Sequence, residues 1–147
     1  MAMRWIMKLR TVLLFTLLSG TIAAFGVTLA REPGTPSMAV PDQLIAETLA
    51  GEENKEVVVQ LYTFPPGTVL PWHIHPDAHE IAYVLQGTLT FQRAGEQPRD
   101  IETGEADYLA PNIVHRGMNN GDVPVKLYVV RIKPKDKPLL QEVPAPQ

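Results

Sequence analysis

"LPWHIHPDAHEIAYVLQG", residues 70–87, places three of the chain's four histidines and a glutamate within eight positions, beside a run of apolar, strand-forming residues. Residues two apart on a strand point to one face, so His73 and His75 can reach a single ion. By itself the pair equally fits hydrogen-bonded core histidines. Pro76 and Asp77 favour a turn directly afterwards, and the chain can return as a new strand with Glu80 beside the two imidazoles. Two imidazoles and a carboxylate on adjacent strands suit a divalent first-row metal with open positions. Alternation sets His79 on the face opposite Glu80, with Ile81, Tyr83 and Leu85, whereas Glu80 shares its side with Ala82 and Val84. Both faces are apolar, so alternation alone does not choose between them.

Outward from this stretch the texture stays the same. From Glu56 on, short β-type runs such as "VVVQLYTF", "TLTFQR", "ADYLA", "IVHRGM" and "VPVKLYVVRI" are separated by "PPG", "AGEQP", "TGE", "PN" and "NNGD". Short strands with such punctuation predict an all-β sandwich or barrel. A length of 147 residues suits one core rather than two. Residues 31–43 contain three prolines and no periodicity and read, with the stretch up to 56, as a linker and N-terminal arm. Leu44–Ala50 fits either a short helix or a strand. The barrel is expected over 57–132, followed by an extended tail over 133–147 in which the basic "KPKDKP" is solvated.

Residues 1–30 have a different character. Arg4, Lys8 and Arg10 precede a run without charge from Thr11 to Ala30. That is the pattern of a secretory signal peptide cleaved after Ala30, and also of an uncleaved membrane anchor. Either reading places the rest of the chain outside the cytoplasm, in the periplasm or secreted. No Arg-Arg pair precedes the run, so the twin-arginine route is not indicated.

Composition excludes several classes. With no cysteine, there are no disulfides, zinc ribbons, iron–sulfur clusters or cysteine nucleophiles. The first thirty residues hold three basic and no acidic side chains, which leaves ten basic against sixteen acidic over 31–147, a formal charge of −6. An acidic balance argues against nucleic acid as a partner. An H-E-x-x-H helix would need histidine where Tyr83 stands, and neither a G-x-S-x-G elbow nor a Gly-rich phosphate loop is present.

"GTVLPWHIHPDAHEIAYVLQG" resembles the first motif of the cupin superfamily at every spaced position: Gly67, five residues, His73-x-His75, four residues, Glu80, six residues and Gly87. "GEADYLAPNIVHRGMN" resembles the second motif, with Gly104, His115 eleven residues on and Asn119 four further. It departs in the middle, where the family's proline and glycine would fall at 110 and 112 and this chain has Ala110 and Asn112 around Pro111. Asparagine tolerates positive φ better than most residues, so the turn that presents His115 should be retained.

The resemblance implies a cupin double-stranded β-helix, a jelly-roll-like barrel, with one divalent transition metal per chain (Fe, Mn, Ni, Cu or Zn). His73, His75, Glu80 and His115 would hold it, Glu80 serving as ligand, as base, or as both. His79 would stand outside this set, either at the rim or behind a ligand, or as a plain surface or packing residue. Trp72, Tyr83, Tyr108 and Met118, with Tyr62 and Phe91, are candidates to line the pocket. Arg116 and Arg131 are candidates to meet an anionic substrate, and nothing in the pattern selects either. Two functions follow: an oxygenase-like, isomerase or decarboxylase enzyme on a small organic substrate, or a non-catalytic module that binds a metal or small ligand. Cupins of this size commonly pair, so a homodimer is expected. Any membrane contact would come through an uncleaved N-terminal segment.

Overall fold

The computed structural model describes residues 39–147. The signal or anchor reading of residues 1–30 and most of the expected linker fall outside the described residues. The described chain forms ten strands: β1 (Asp42–Leu49), β2 (Glu52–Phe64), β3 (His73–Ile74), β4 (His79–Gln86), β5 (Thr88–Arg93), β6 (Arg99–Glu102), β7 (Ala106–Leu109), β8 (His115–Met118), β9 (Val125–Pro134) and β10 (Gln141–Glu142). They pair antiparallel into two five-stranded sheets, in the orders β1-β2-β9-β4-β7 and β10-β3-β8-β5-β6. This is the all-β, double-sheet architecture expected from the punctuated runs. Among the described residues no helix is long and apolar enough to cross a membrane.

A period of two builds the core. Along β4 the buried positions are Glu80, Ala82 and Val84, and along β9 they are Val125, Leu127, Val129, Arg131 and Lys133. These strands are direct neighbours, with Glu80 opposite Arg131 and Ala82 opposite Val129. Phe64, Leu70, Leu89, Phe91, Ile101 and Leu109 complete the cluster between the sheets. Packing of aliphatic and aromatic side chains there supplies the stabilisation of a chain that has no cysteine to form disulfides. At the far edge the sheets are tied by charge: Asp107 on β7 is held by Arg93 of β5, at 2.8 Å, and by Arg99 of β6.

Two expected boundaries shift. Leu44–Ala50, read within the arm as either helix or strand, falls almost wholly in strand β1 (Asp42–Leu49), which pairs with β2 from Asp42 opposite Leu61 onward. The sheet therefore begins fifteen residues before position 57, because β2 is long enough to template a further neighbour. The tail is ordered as well: β10 pairs with β3, Gln141 opposite Ile74 and Glu142 opposite His73. Lys133, read as part of a solvated run, is 3% exposed and paired with Glu56 at 2.7 Å. It continues the inward parity of β9, so its ammonium has to be met by a carboxylate.

Candidate metal centre

The site sits between the two sheets. His73 on β3 is the cross-strand partner of His115 at the start of β8, and His75 follows two residues after His73. All three rings are buried, and their ligand atoms lie within 4.8 Å of one another. Ring centroids are 4.2 Å apart for His73 and His115 and 5.1 Å for each of the other two pairs.

Backbone carbonyls fix how these rings present themselves. His73 Nδ1 donates to Pro71 O at 2.8 Å, His75 Nδ1 to Leu139 O at 2.6 Å, and His115 Nδ1 to Ile113 O at 2.9 Å. A carbonyl can only accept, so each Nδ1 carries the proton, and Nε2 is the atom left with a lone pair in the neutral ring. Outer hydrogen bonds of this kind orient imidazoles toward a metal. Burial, then the neighbouring His115, lowers His73 to about 3. Burial also lowers His115, to about 4, against the pull of Glu80. Both rings are therefore neutral near pH 7, the form a metal requires.

Glu80 reaches the same point from β4. Its Oε2 lies 2.9 Å from His75 Nε2, with no well-formed hydrogen bond at either atom. His75 Nε2 and Glu80 Oε2 are both buried and lack a well-directed hydrogen bond, although Oε2 is ion-paired with Arg131, and these two atoms are where the donor set fits a metal. Burial alone would raise the Glu80 carboxyl; the Arg131 guanidinium, 2.6 Å away, outweighs burial and holds it well below the usual range. Arg131 is itself raised, since its attraction to Glu80 outweighs its own burial.

The turns that carry the ligands are latched to each other. Asp77 and Asn112 both adopt positive φ, 54° and 63°. Asp77 N donates to Asn112 Oδ1 at 3.1 Å, and Asn112 Nδ2 donates back to Asp77 Oδ1 at 3.0 Å. Asparagine at 112 thus does supply the left-handed turn expected of it. Asn119 is fully buried and satisfied: Nδ2 donates to Phe64 O and Val123 O, and Oδ1 accepts from Gly121 N.

A pocket of about 520 Å³, counting its open mouth, runs to these rings and is lined by Tyr62, Phe64, Leu89, Phe91, Leu127 and Arg131 among others. Of the expected lining residues Tyr62 and Phe91 take part, whereas Trp72, Tyr83, Tyr108 and Met118 do not. Tyr83 and Tyr108 lie on the outer face, 40% and 55% exposed, because they hold the other parity of β4 and β7. Trp72 stacks under Arg116, whose guanidinium also binds Gln92 Oε1, and Met118 is buried in β8. His79 is exposed and bound through Nδ1 to the Tyr108 hydroxyl at 2.7 Å, away from the imidazole cluster. Arg131 and the carbonyl of Leu139 are the participants that the sequence reading did not select. The inward parity of β9 signals Arg131; no local pattern signals a contact 64 residues from His75.

Residues 60–131 match the family described as "Cupin domain". With the double-sheet barrel already in view, this match places the chain in the cupin superfamily. Germin-like protein subfamily 2 member 1 of Arabidopsis thaliana is 31% identical over 84 residues, 54% of this chain and 38% of that protein. The chain therefore spans well under half of that relative's length. An uncharacterized conserved protein with a double-stranded β-helix domain from Klebsiella pneumoniae superposes with a TM-score of 0.60 at 19% identity, covering 77% of this chain and 92% of that one. A recombinant oxalate oxidase in complex with glycolate gives 0.57 at 23% identity, covering 77% and 59%. Likenesses at such identity establish the fold.

Proposed function

We propose that this chain is a metal-dependent cupin enzyme, oxygenase-like, acting on a small organic substrate, with His73, His75 and His115 as ligands and Glu80 as the fourth. One observation carries the reading: three buried imidazoles, each with Nδ1 committed to a carbonyl, converge beside Glu80 Oε2 at a pocket with apolar walls. A divalent first-row metal held there would supply Lewis acidity and open positions for a small molecule.

The chain's own residues divide the work. Arg131 keeps Glu80 ionised, which suits a ligand; a carboxylate so acidic is a weak base near neutral pH, so its basic role is secondary. Phe64, Leu89, Phe91 and Leu127 exclude water and hold the apolar part of a substrate. Germin-like and oxalate oxidase relatives support an enzyme reading through their family. We include pairing of two barrels and export of the chain in the proposal; sedimentation and fractionation read these.

Elemental analysis of the purified full chain after dialysis, then oxygen uptake with a panel of small enols, diols and carboxylates, tests the main proposal. About one metal per chain with turnover is expected. Metal without turnover on any substrate would leave the binding module as the function, and absence of bound metal would remove the enzyme reading and leave only a module for a small ligand.

A further inference from the structure

The outer face of the sheet β1-β2-β9-β4-β7 is apolar, where an antiparallel sheet packed on one side is ordinarily polar. Register aligns Ile45, Val59, Val130, Ile81 and Tyr108 as cross-strand neighbours through all five strands. The row holds the parity opposite to Ala82 and Val129, which face the core, and so points away from it. The next row, Leu61, Tyr128, Tyr83 and Ala106, is apolar as well. Ile45, Ile81, Tyr83, Tyr108 and Tyr128 are each between 36% and 55% exposed.

At those fractions the five side chains leave about 500 Å² open to solvent, toward the upper end of the largest patch on an ordinary monomer. A little over half of an ordinary interface is apolar, so such a patch with its polar rim corresponds to about 800 Å² per partner, the size of a stable pair. Tyrosine, which supplies three of the five, is enriched at interfaces. The rim charges suit self-pairing. Glu47 stands in the row of Val57, Ile132 and His79 at one end of the face, and Lys126 stands at the other end opposite Thr63. Two copies laid antiparallel set one apolar row on the other and bring a Glu47 end over a Lys126 end twice. A membrane is the poorer occupant, because an anionic lipid surface repels a chain whose residues 31–147 carry a formal −6.

We propose that this outer face is the surface on which two copies of the chain pair, face to face and antiparallel. The inference rests on the pairing proposed above, for which it names the surface, and is independent of the metal reading.

Sedimentation of the full chain should give a dimer at micromolar concentration. Ile81→Lys, which sets a charge in the middle of the face on the solvent side of β4, should raise the dissociation constant at least 30-fold. Tyr108→Lys, on the edge strand β7, carries the same expectation and serves if Ile81→Lys fails to fold by circular dichroism. The absence of cysteine allows a second readout: a short bis-maleimide should link Tyr83→Cys to a second copy, and should not link Glu96→Cys, in the turn after β5. A monomeric full chain would overturn the proposal together with the pairing. A dimer with an unchanged dissociation constant in these lysine variants, or without the Tyr83→Cys link, would overturn this surface alone; the chain's own uncharged residues 11–30 lying on the face would give that result. Binding to phosphatidylcholine vesicles that is lost in Ile81→Lys would overturn it too, in favour of a membrane.

Discussion

Gly87 and Gly95 both hold positive φ, 77° and 78°, yet their surroundings differ. A Cβ at Gly87 would lie 2.9 Å from Pro124 O, whereas one at Gly95 would meet nothing within 4 Å. Gly95→Ala should cost only the left-handed conformation, about 1–2 kcal/mol. Gly87→Ala adds displacement of backbone and should cost about 3 kcal/mol. Urea denaturation of the two variants checks this, and equal losses would show that the β4–β5 turn yields more easily than the contact implies. The ligands separate as sharply. His75→Ala should lower metal affinity by at least about 100-fold, because it removes a donor rather than an outer partner, whereas His79→Ala, bound outside to Tyr108, should change it by less than about threefold. Competition with a chromogenic chelator reads both, and loss of metal from His79→Ala alone would mean that β4 is out of register.

At the level of the elements, β10 and the residues before it do more than close a sheet edge. Leu139 O fixes the proton on His75 Nδ1, Val143 N donates to Trp72 O at 2.9 Å, and Leu140 covers the pocket. Ending the chain after Pro138 should leave the barrel folded, since the core between the sheets is untouched. It should nonetheless weaken metal binding about 10–100-fold, the usual cost of losing a partner that orients a ligand. Far-ultraviolet circular dichroism beside a metal titration separates the two effects. Full affinity in the shortened chain would show that water replaces the Leu139 carbonyl without loss.

For the whole molecule, the buried site makes the metal-free protein sensitive to acid. In the unfolded chain histidine takes up a proton near 6.5; in the folded chain burial delays this to about 3 for His73 and about 4 for His115. Between those limits the unfolded state binds more protons, so stability falls as pH falls from 6.5 toward 4, by no more than about 1.4 kcal/mol per pH unit for each ring. Glu80 acts in the same direction lower down: its depressed carboxyl contributes stability above its ordinary value of 4.5 and loses it as pH drops below that. The urea midpoint of EDTA-stripped protein should therefore decline from pH 7 to pH 4.5. A flat or rising midpoint would mean that the imidazoles are hydrated rather than buried in solution.

Local chemistry alone determined much of this protein. Alternation and turn residues made the barrel and the shared face of His73 and His75 legible, because a strand's period and a turn's φ are decided within a few residues; the choice of Glu80 over His79 and the addition of His115 came from the resemblance of two spaced motifs to the cupin pattern. The same parity put His79 opposite Glu80 and would have marked Arg131 and Lys133 as inward. Tertiary structure decided the rest. Whether Tyr83 and Tyr108 or Phe64 and Leu127 meet a ligand depends on which face of each strand meets the second sheet, and both faces of β4 carry apolar residues. The pairing of Arg131 with Glu80, the strand at 42–49 and the Leu139 carbonyl on His75 each join segments far apart in the chain. Such contacts are fixed by closure of the barrel, where buried charges and hydrogen-bond donors must find partners wherever the fold brings them.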